Sequence, residues 1–217
     1  MKSVVVGSGG REHALAHVLG RDSDVTVTPG NPGIPNSTTQ SPLNIDADLF
    51  VIGPEAPLVD GLADQLRAQG KTVFGPGVDG AQLEGSKAWM KDLLVEANVP
   101  TAKHGTFTNE DEAIAFLSDM PLPYVIKTDG LAAGKGVLVT ESVNEAKDAI
   151  KNYLSGDAFG DAGKTVVIEE GLIGNEISIL AICDGTKAVP LAPAQDYKRL
   201  LNNDEGPNTG GMGAYSP

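Results

Sequence analysis

The chain has 217 residues, one cysteine (Cys183) and 16 Lys+Arg against 29 Asp+Glu, a net charge of −13. That length can bury a core in one large domain or two smaller ones, and a lone cysteine excludes an internal disulfide framework. The negative balance opposes an extended phosphate backbone, so no nucleic acid partner is expected and any phosphate site must be local.

The opening MKSVVVGSGGREHA has only three valines before glycines and charges. This is too short an apolar run for a signal peptide, and no stretch reaches membrane-spanning length, so a cytoplasmic protein without membrane contact is expected. In chain order, Ser3 to Val6, Val25 to Thr28, Leu49 to Ile52 and Thr72 to Phe74 are apolar, rich in β-branched residues and bounded by Gly, Pro or Asp. They read as buried parallel strands. Glu12 to Leu19 and Leu62 to Gln69 carry helical apolar spacing between them, which makes the first part α/β. The link from Val25–Thr28 to Leu49–Ile52 holds four prolines and no helical period, so it is either a short strand near Ser37 to Ser41 or an irregular loop. A helix from Ser86 to Ala97 ends before Pro100-Thr101, a plausible boundary. Beyond it, Tyr124 to Lys127, Val137 to Thr140, Val166 to Glu169 and Ile177 to Cys183 read as strands with fewer helices between them, giving a second, α+β domain.

Four stretches carry chemistry. In VVVGSGGREHA a strand runs into Gly7, Gly9 and Gly10 and then a helix, which aims backbone N–H groups and a helix N-terminus at an anion. A dinucleotide fingerprint would need a third glycine where Glu12 stands, so a nicotinamide cofactor is a poor match; Arg11 and His13 read equally as solvated helix residues. In VIGPEAPLVDG, Glu55 lies between two prolines on a stiff loop at the strand edge where open sheets place ligands. The glycine-rich DGLAAGKGV, residues 129–137, reads alone as a hairpin turn. Lys127 before it, Lys135 within it and Lys87 upstream could instead surround a polyphosphate. VVIEEGLIGNEIS places Glu169 and Glu170 at a strand end, with Leu172 and Glu176 beyond. Such a segment can read an adenine edge and accept from ribose hydroxyls, or it is merely a solvated strand terminus.

GSGGREHALA, VIGPEAPLVDG, FGP, AQLEGSKAWMK, VIKTDGLAAGKGV, AFGDAG, VIEEGL and GPNTGGMGAYSP, in this order from Met1 to Pro217, together resemble the phosphoribosylamine-glycine ligase (glycinamide ribonucleotide synthetase) family of the ATP-grasp superfamily. The resemblance implies an N-terminal open parallel-sheet, Rossmann-like domain over residues 1–100 that binds phosphoribosylamine. It also implies an incomplete ATP-grasp α+β domain over 101–217, with 120–185 as the lid over the nucleotide. The implied reaction is ligation of glycine to 5-phosphoribosylamine in purine biosynthesis, through glycyl phosphate, giving glycinamide ribonucleotide, ADP and phosphate.

Residue by residue, the resemblance implies that Lys87, Lys127 and Lys135, with Gly134 and Gly136, face ATP phosphates. Glu169, Glu170, Leu172 and Glu176 would form the adenine and ribose strip. Gly9, Gly10, Arg11, Glu12, Asn31 and Glu55 would line the phosphoribosylamine pocket, and Asp196, Lys198, Arg199, Asn208, Thr209 and Met212 would approach the acceptor and glycine. Lys127, Lys135 and Arg199 would carry catalysis. The implied cofactors are ATP with Mg²⁺ or Mn²⁺, and the implied partners are small-molecule substrates bound by a monomer. Two departures stand out. The crossover ahead of VIGPE is shorter than the family's helix-containing one, and the chain stops at GAYSP, where the family continues with its metal-holding Glu and Asn. A truncated chain is therefore expected, with no metal ligands of its own. Two other classes remain: a nicotinamide oxidoreductase, which leaves the lysines and acidic strip unexplained, and a catalytically inactive fragment that binds nucleotide or sugar phosphate.

Overall fold

The computed structural model describes residues 1–131, 136–156 and 163–217, apart from the side chains at 204 and 208. Gly134 and Lys135, and most of AFGDAG, lie outside the described residues. The chain divides into two compact units, Met1–Glu170 and Gly171–Pro217.

The first unit opens with a parallel sheet in the order β2-β1-β3-β4, built from β1 (Lys2–Gly7), β2 (Asp24–Pro29), β3 (Leu49–Ile52) and β4 (Thr72–Phe74). Strand alternation sends Val4, Val6, Phe50 and Ile52 to one face and Val5 and Val27 to the other. Helix α1 (Gly10–Leu19) covers the second face with Leu15, Ala16 and Leu19. The first face is covered by Leu58 of α2 (Glu55–Val59), Ala63 and Leu66 of α3 (Leu62–Ala68) and Ala81 of α4 (Val78–Gly85). Full burial of a side chain such as Phe50 or Leu66 stabilises by roughly 1.5–3 kcal/mol.

The crossover after β2 combines the two alternatives left by its sequence. Ser37 makes one parallel bridge to Val27 at the sheet edge, and Pro42–Asn44 forms a 3-10 turn. Leu43, Ile45 and Ala47 then pack onto the first face, doing with irregular chain what a helix would do there. Glu55 corrects an expectation: it is not on a loop but is the first residue of α2. Pro57 is compatible with that helix because a first-turn residue has no intrahelical use for its N–H.

Helix α5 (Lys87–Glu96) leads to an antiparallel sheet in the order β5-β8-β6-β7, made of β5 (His104–Phe107), β6 (Tyr124–Thr128), β7 (Val137–Thr140) and β8 (Val166–Glu170). One face, with Tyr124, Ile126, Val166 and Ile168, packs on α6 (Glu110–Phe116) and α7 (Val143–Leu154) through Ala113, Ala146, Ile150 and Tyr153. These two helices and β5 exceed the expected count of elements. The opposite face carries Lys127 and Glu169, which the register makes diagonal neighbours.

In the second unit, β9 (Ala181–Cys183) pairs with β10 (Ala188–Pro190), and β11 (Gln195–Leu201) pairs with β12 (Glu205–Tyr215). The expected strand from Ile177 to Cys183 is thus only its last three residues. Upstream of these, Ser178 makes a lone bridge to Ala194, and without a continuous partner the β-branched residues there form no ladder.

Candidate functional site

The sheet edge at the end of β1 is organised by a carboxylate. Glu12, at the third position of α1, is 3% exposed. Its Oε2 accepts from Gly9 N at 2.7 Å and its Oε1 from Arg11 Nε at 2.8 Å, one half of a capping box. A Cβ at Gly7 or Gly53 would fall on the Glu12 side chain, so both glycines exist to let it in. Arg11 also donates to Glu55 Oε1 at 3.0 Å. Asn31 ties the loop after β2 to the same turn, donating to Ser8 O and accepting from Gly33 N, each at 2.7 Å. The structure therefore brings Gly9, Gly10, Arg11, Glu12, Asn31 and Glu55 together. Burial would push the Glu12 carboxyl up, but Arg11 and the Gly9 amide hold it below its ordinary value. Glu55 is likewise lowered against burial by its own backbone amide and by Arg11.

A second cluster joins α5 to the free face of the antiparallel sheet. Asp129 accepts from Ser86 Oγ at 3.0 Å and from Ala88 N at 3.1 Å, while Lys87 Nζ donates to Gly130 O at 2.6 Å. The start of the glycine-rich segment is thereby pinned to the start of α5. Burial pushes the Lys87 ammonium down, Asp129 opposing and Lys127 adding to the shift. Lys127 Nζ lies 2.9 Å from Glu169 Oε1, and Lys91 Nζ lies 3.0 Å from Glu169 Oε2. Each oxygen of the Glu169 carboxylate thus faces one ammonium group. Burial raises the Glu169 carboxyl, but the two ammonium groups outweigh it and hold the group below its ordinary value.

Glu170 does not join this cluster. Adjacent strand residues point to opposite faces, and its Oε1 accepts from Lys103 N at 2.7 Å. In the second unit, Leu172 is 74% exposed. Lys198 Nζ bonds Glu176 Oε1 at 2.9 Å and sits 3.2 Å from Asp196 Oδ2, and Glu176 first, with Asp196, raises the Lys198 ammonium. Arg199 donates to Gly206 O at 2.8 Å and Thr209 Oγ1 to Lys198 O at 2.9 Å, while Met212 is exposed and Asn208 pairs with Arg199 in the hairpin register.

Sequence reading missed Lys91, Thr101, Ser86 and the role of Asp129. The only signal for Lys91 was its place one helical turn after Lys87. Among the described residues, no three His, Cys, Asp or Glu side chains gather to hold a metal, and no helix is long and apolar enough to cross a membrane.

The phosphoribosylglycinamide synthetase N domain matches residues 1–84, and the ATP-grasp (A) domain of the same synthetase matches 85–217. Phosphoribosylamine–glycine ligase from Xylella fastidiosa is 50% identical over 235 residues, covering 100% of this chain and 54% of the relative. The crystal structure of the Thermotoga maritima ligase superposes with a TM-score of 0.84 at 34% identity, over 99% of this chain and 55% of that one. The biotin carboxylase domain of Hydrogenobacter thermophilus 2-oxoglutarate carboxylase, solved with MgADP, shares the fold at a TM-score of 0.70 and 17% identity, over 94% of this chain and 51% of that one. The chain spans about half the length of the curated relatives it matches. With both domain models matched end to end, the chain belongs to the phosphoribosylglycinamide synthetase family of ATP-grasp ligases.

Proposed function

We propose that the chain serves the ATP-dependent joining of glycine to 5-phosphoribosylamine, with ATP at the lysine face of the antiparallel sheet and the sugar phosphate at the edge of the parallel one. The observation that carries this reading is the meeting of Lys87, Lys127 and Glu169 at the base of the glycine-rich segment. A triphosphate needs positioned cations, and Lys87 and Lys127 supply them beside Glu169, at the start of the strip proposed for adenine and ribose. In this reading Gly134, Lys135 and Gly136 complete the phosphate cradle.

The chemistry transfers the γ-phosphoryl group to a glycine carboxylate oxygen, releasing ADP. The phosphoribosylamine nitrogen then attacks the acyl carbon, the phosphate leaves, and the nitrogen loses a proton to give the amide. The lysines stabilise charge spread over the phosphoryl oxygens during transfer. Arg11 and Glu55 hold the amine-bearing sugar, and Arg199, Asp196, Lys198, Thr209, Asn208 and Met212 serve the acceptor end. Glu176 meets ribose and Leu172 meets adenine. The carboxylates nearest this segment do not fit Mg²⁺: Glu169 is covered by two lysines, Asp129 by Ser86 and Ala88, and Glu170 accepts from Lys103. No step is therefore routed through a metal.

Titration calorimetry with ATP tests the reading. Binding is expected in the wild type and about tenfold weaker in Lys127→Met, whereas a folded protein that ignores millimolar ATP would overturn it. ADP release on adding glycine and phosphoribosylamine distinguishes a ligase from a module that only binds.

A further inference from the structure

The charges around Glu169 do not pair one to one. Glu169 is 5% exposed, and its carboxylate meets two ammonium groups, one through each oxygen. They are not equivalent. Lys91, from α5, is 3% exposed, and Thr101 Oγ1 accepts another of its protons at 2.7 Å, so it has no route to solvent or to a ligand. The Lys127 side chain is 25% exposed, on the open face of the sheet, against 4% for that of Lys91. A buried carboxylate needs one good counter-ion, and losing its only one is costly. Lys91 already supplies it.

We infer that Lys91 is a positioning residue: it neutralises Glu169 permanently, so that Lys127 can leave that carboxylate and turn to a polyphosphate. Without Lys91, Lys127 would be the sole partner of a buried negative charge and would stay on it. The inference rests on the proposed reading of Lys127 as a phosphate ligand, and the two can fail separately.

The test is calorimetric titration of the full chain with inorganic tripolyphosphate, which probes the lysines without the adenine strip. Lys127→Met in the wild-type background is expected to weaken binding about tenfold. Lys91→Met should weaken it by a similar factor, although Lys91 cannot touch the anion. Adding Lys127→Met to Lys91→Met should then cost less than twofold, because Lys127 is already held. Losses that multiply to about a hundredfold would mean that each lysine acts on the anion independently, and would overturn the inference; so would wild-type binding by Lys91→Met. An unchanged affinity in Lys127→Met alone would remove the phosphate reading and this inference with it.

Lys91→Met leaves a buried carboxylate with Lys127 as its one partner, and if it does not fold, Lys91→Met/Glu169→Gln replaces it, since no buried charge is then unpaired. In that background Lys127 is free, and Lys127→Met must again cost about tenfold; a cost below twofold would overturn the inference. A purely structural Lys91 would shift the melting temperature of the variants while leaving the effect of Lys127→Met the same in every background.

Discussion

Glu12 fills the space that a dinucleotide-binding turn keeps for its third glycine. The sequence shows the substitution, but not that the side chain turns inward, because the room for it comes from Gly53, beyond the next strand of the sheet. Gly53 N donates to Val6 O at 3.0 Å, which fixes the backbone and leaves nowhere for an added methyl to go. Gly53→Ala is accordingly expected to destabilise the fold by about 2–3 kcal/mol, through overpacking and displacement of the Glu12 carboxylate. Gly10→Ala, with nothing within 4 Å of the new Cβ, should be neutral or stabilise α1 by about 0.5 kcal/mol. Urea denaturation of the two variants checks this, and equal stabilities would contradict the packing of Glu12. Acid exposes the same carboxylate. Glu12 and Glu169 both sit below their ordinary value of 4.5 in the fold. As the pH falls below about 4.5 the unfolded chain takes up protons first, so the stability they contribute is full above that pH and is lost as the pH drops through their lowered values. Stability measured by urea between pH 7 and pH 3 should fall most steeply below pH 4.5, and Glu12→Gln should be less stable at pH 7 with a shallower fall.

Helix α5 shows how an element can be legible while its task is not. Ser86, its N-cap, accepts from Trp89 N at 3.1 Å, and that start and its apolar spacing are visible in the sequence. What the helix start does is set by Asp129, which arrives from β6 and is acceptor for both Ser86 Oγ and Ala88 N. Asp129→Ala removes both bonds and should lower stability by about 1 kcal/mol, with the Ala88 amide losing protection in hydrogen exchange. Full retention of that protection would show that the bond is not maintained. Other elements differ in what their own sequence displays. In α7, Val143, Ala146, Ala149, Ile150 and Tyr153 have helical spacing and Ser142 caps Glu145 N, so its signal was present locally. In α2 the prolines masked a helix, and in Ile177–Cys183 residue type implied a strand that lacks a continuous partner. Pairing is a property of two segments, and one segment cannot display it.

At the scale of the molecule, the α/β and α+β characters followed from pattern alone, because buried strands and their helices impose periods of two and 3.6. The contrast between the two units did not, because it depends on what covers each strand. The buried hydrophobic residues of the described chain run from Val4 to Ile168, all within Met1–Glu170. In Gly171–Pro217 the large apolar side chains face solvent: Ile173 is 90% exposed, Ile177 63% and Val189 60%. Its ladders are two-stranded, and such hairpins are marginal in water without a packed face. Local stability there rests on strand hydrogen bonds and surface ion pairs such as Lys198 with Glu176, each contributing about 0–1 kcal/mol. Opening the hairpin of β11 and β12 therefore requires little free energy, whereas exposing β6 or β8 requires disrupting the core that includes Ile126, Val166 and Ile168. Native-state hydrogen exchange on the 217-residue chain should show at least about a hundredfold less protection for β11 and β12 amides than for those of β6 and β8. Limited proteolysis should cut within Gly171–Pro217 while β6 and β8 remain intact. Equal protection across both units would mean that the second is held by packing its own side chains do not provide.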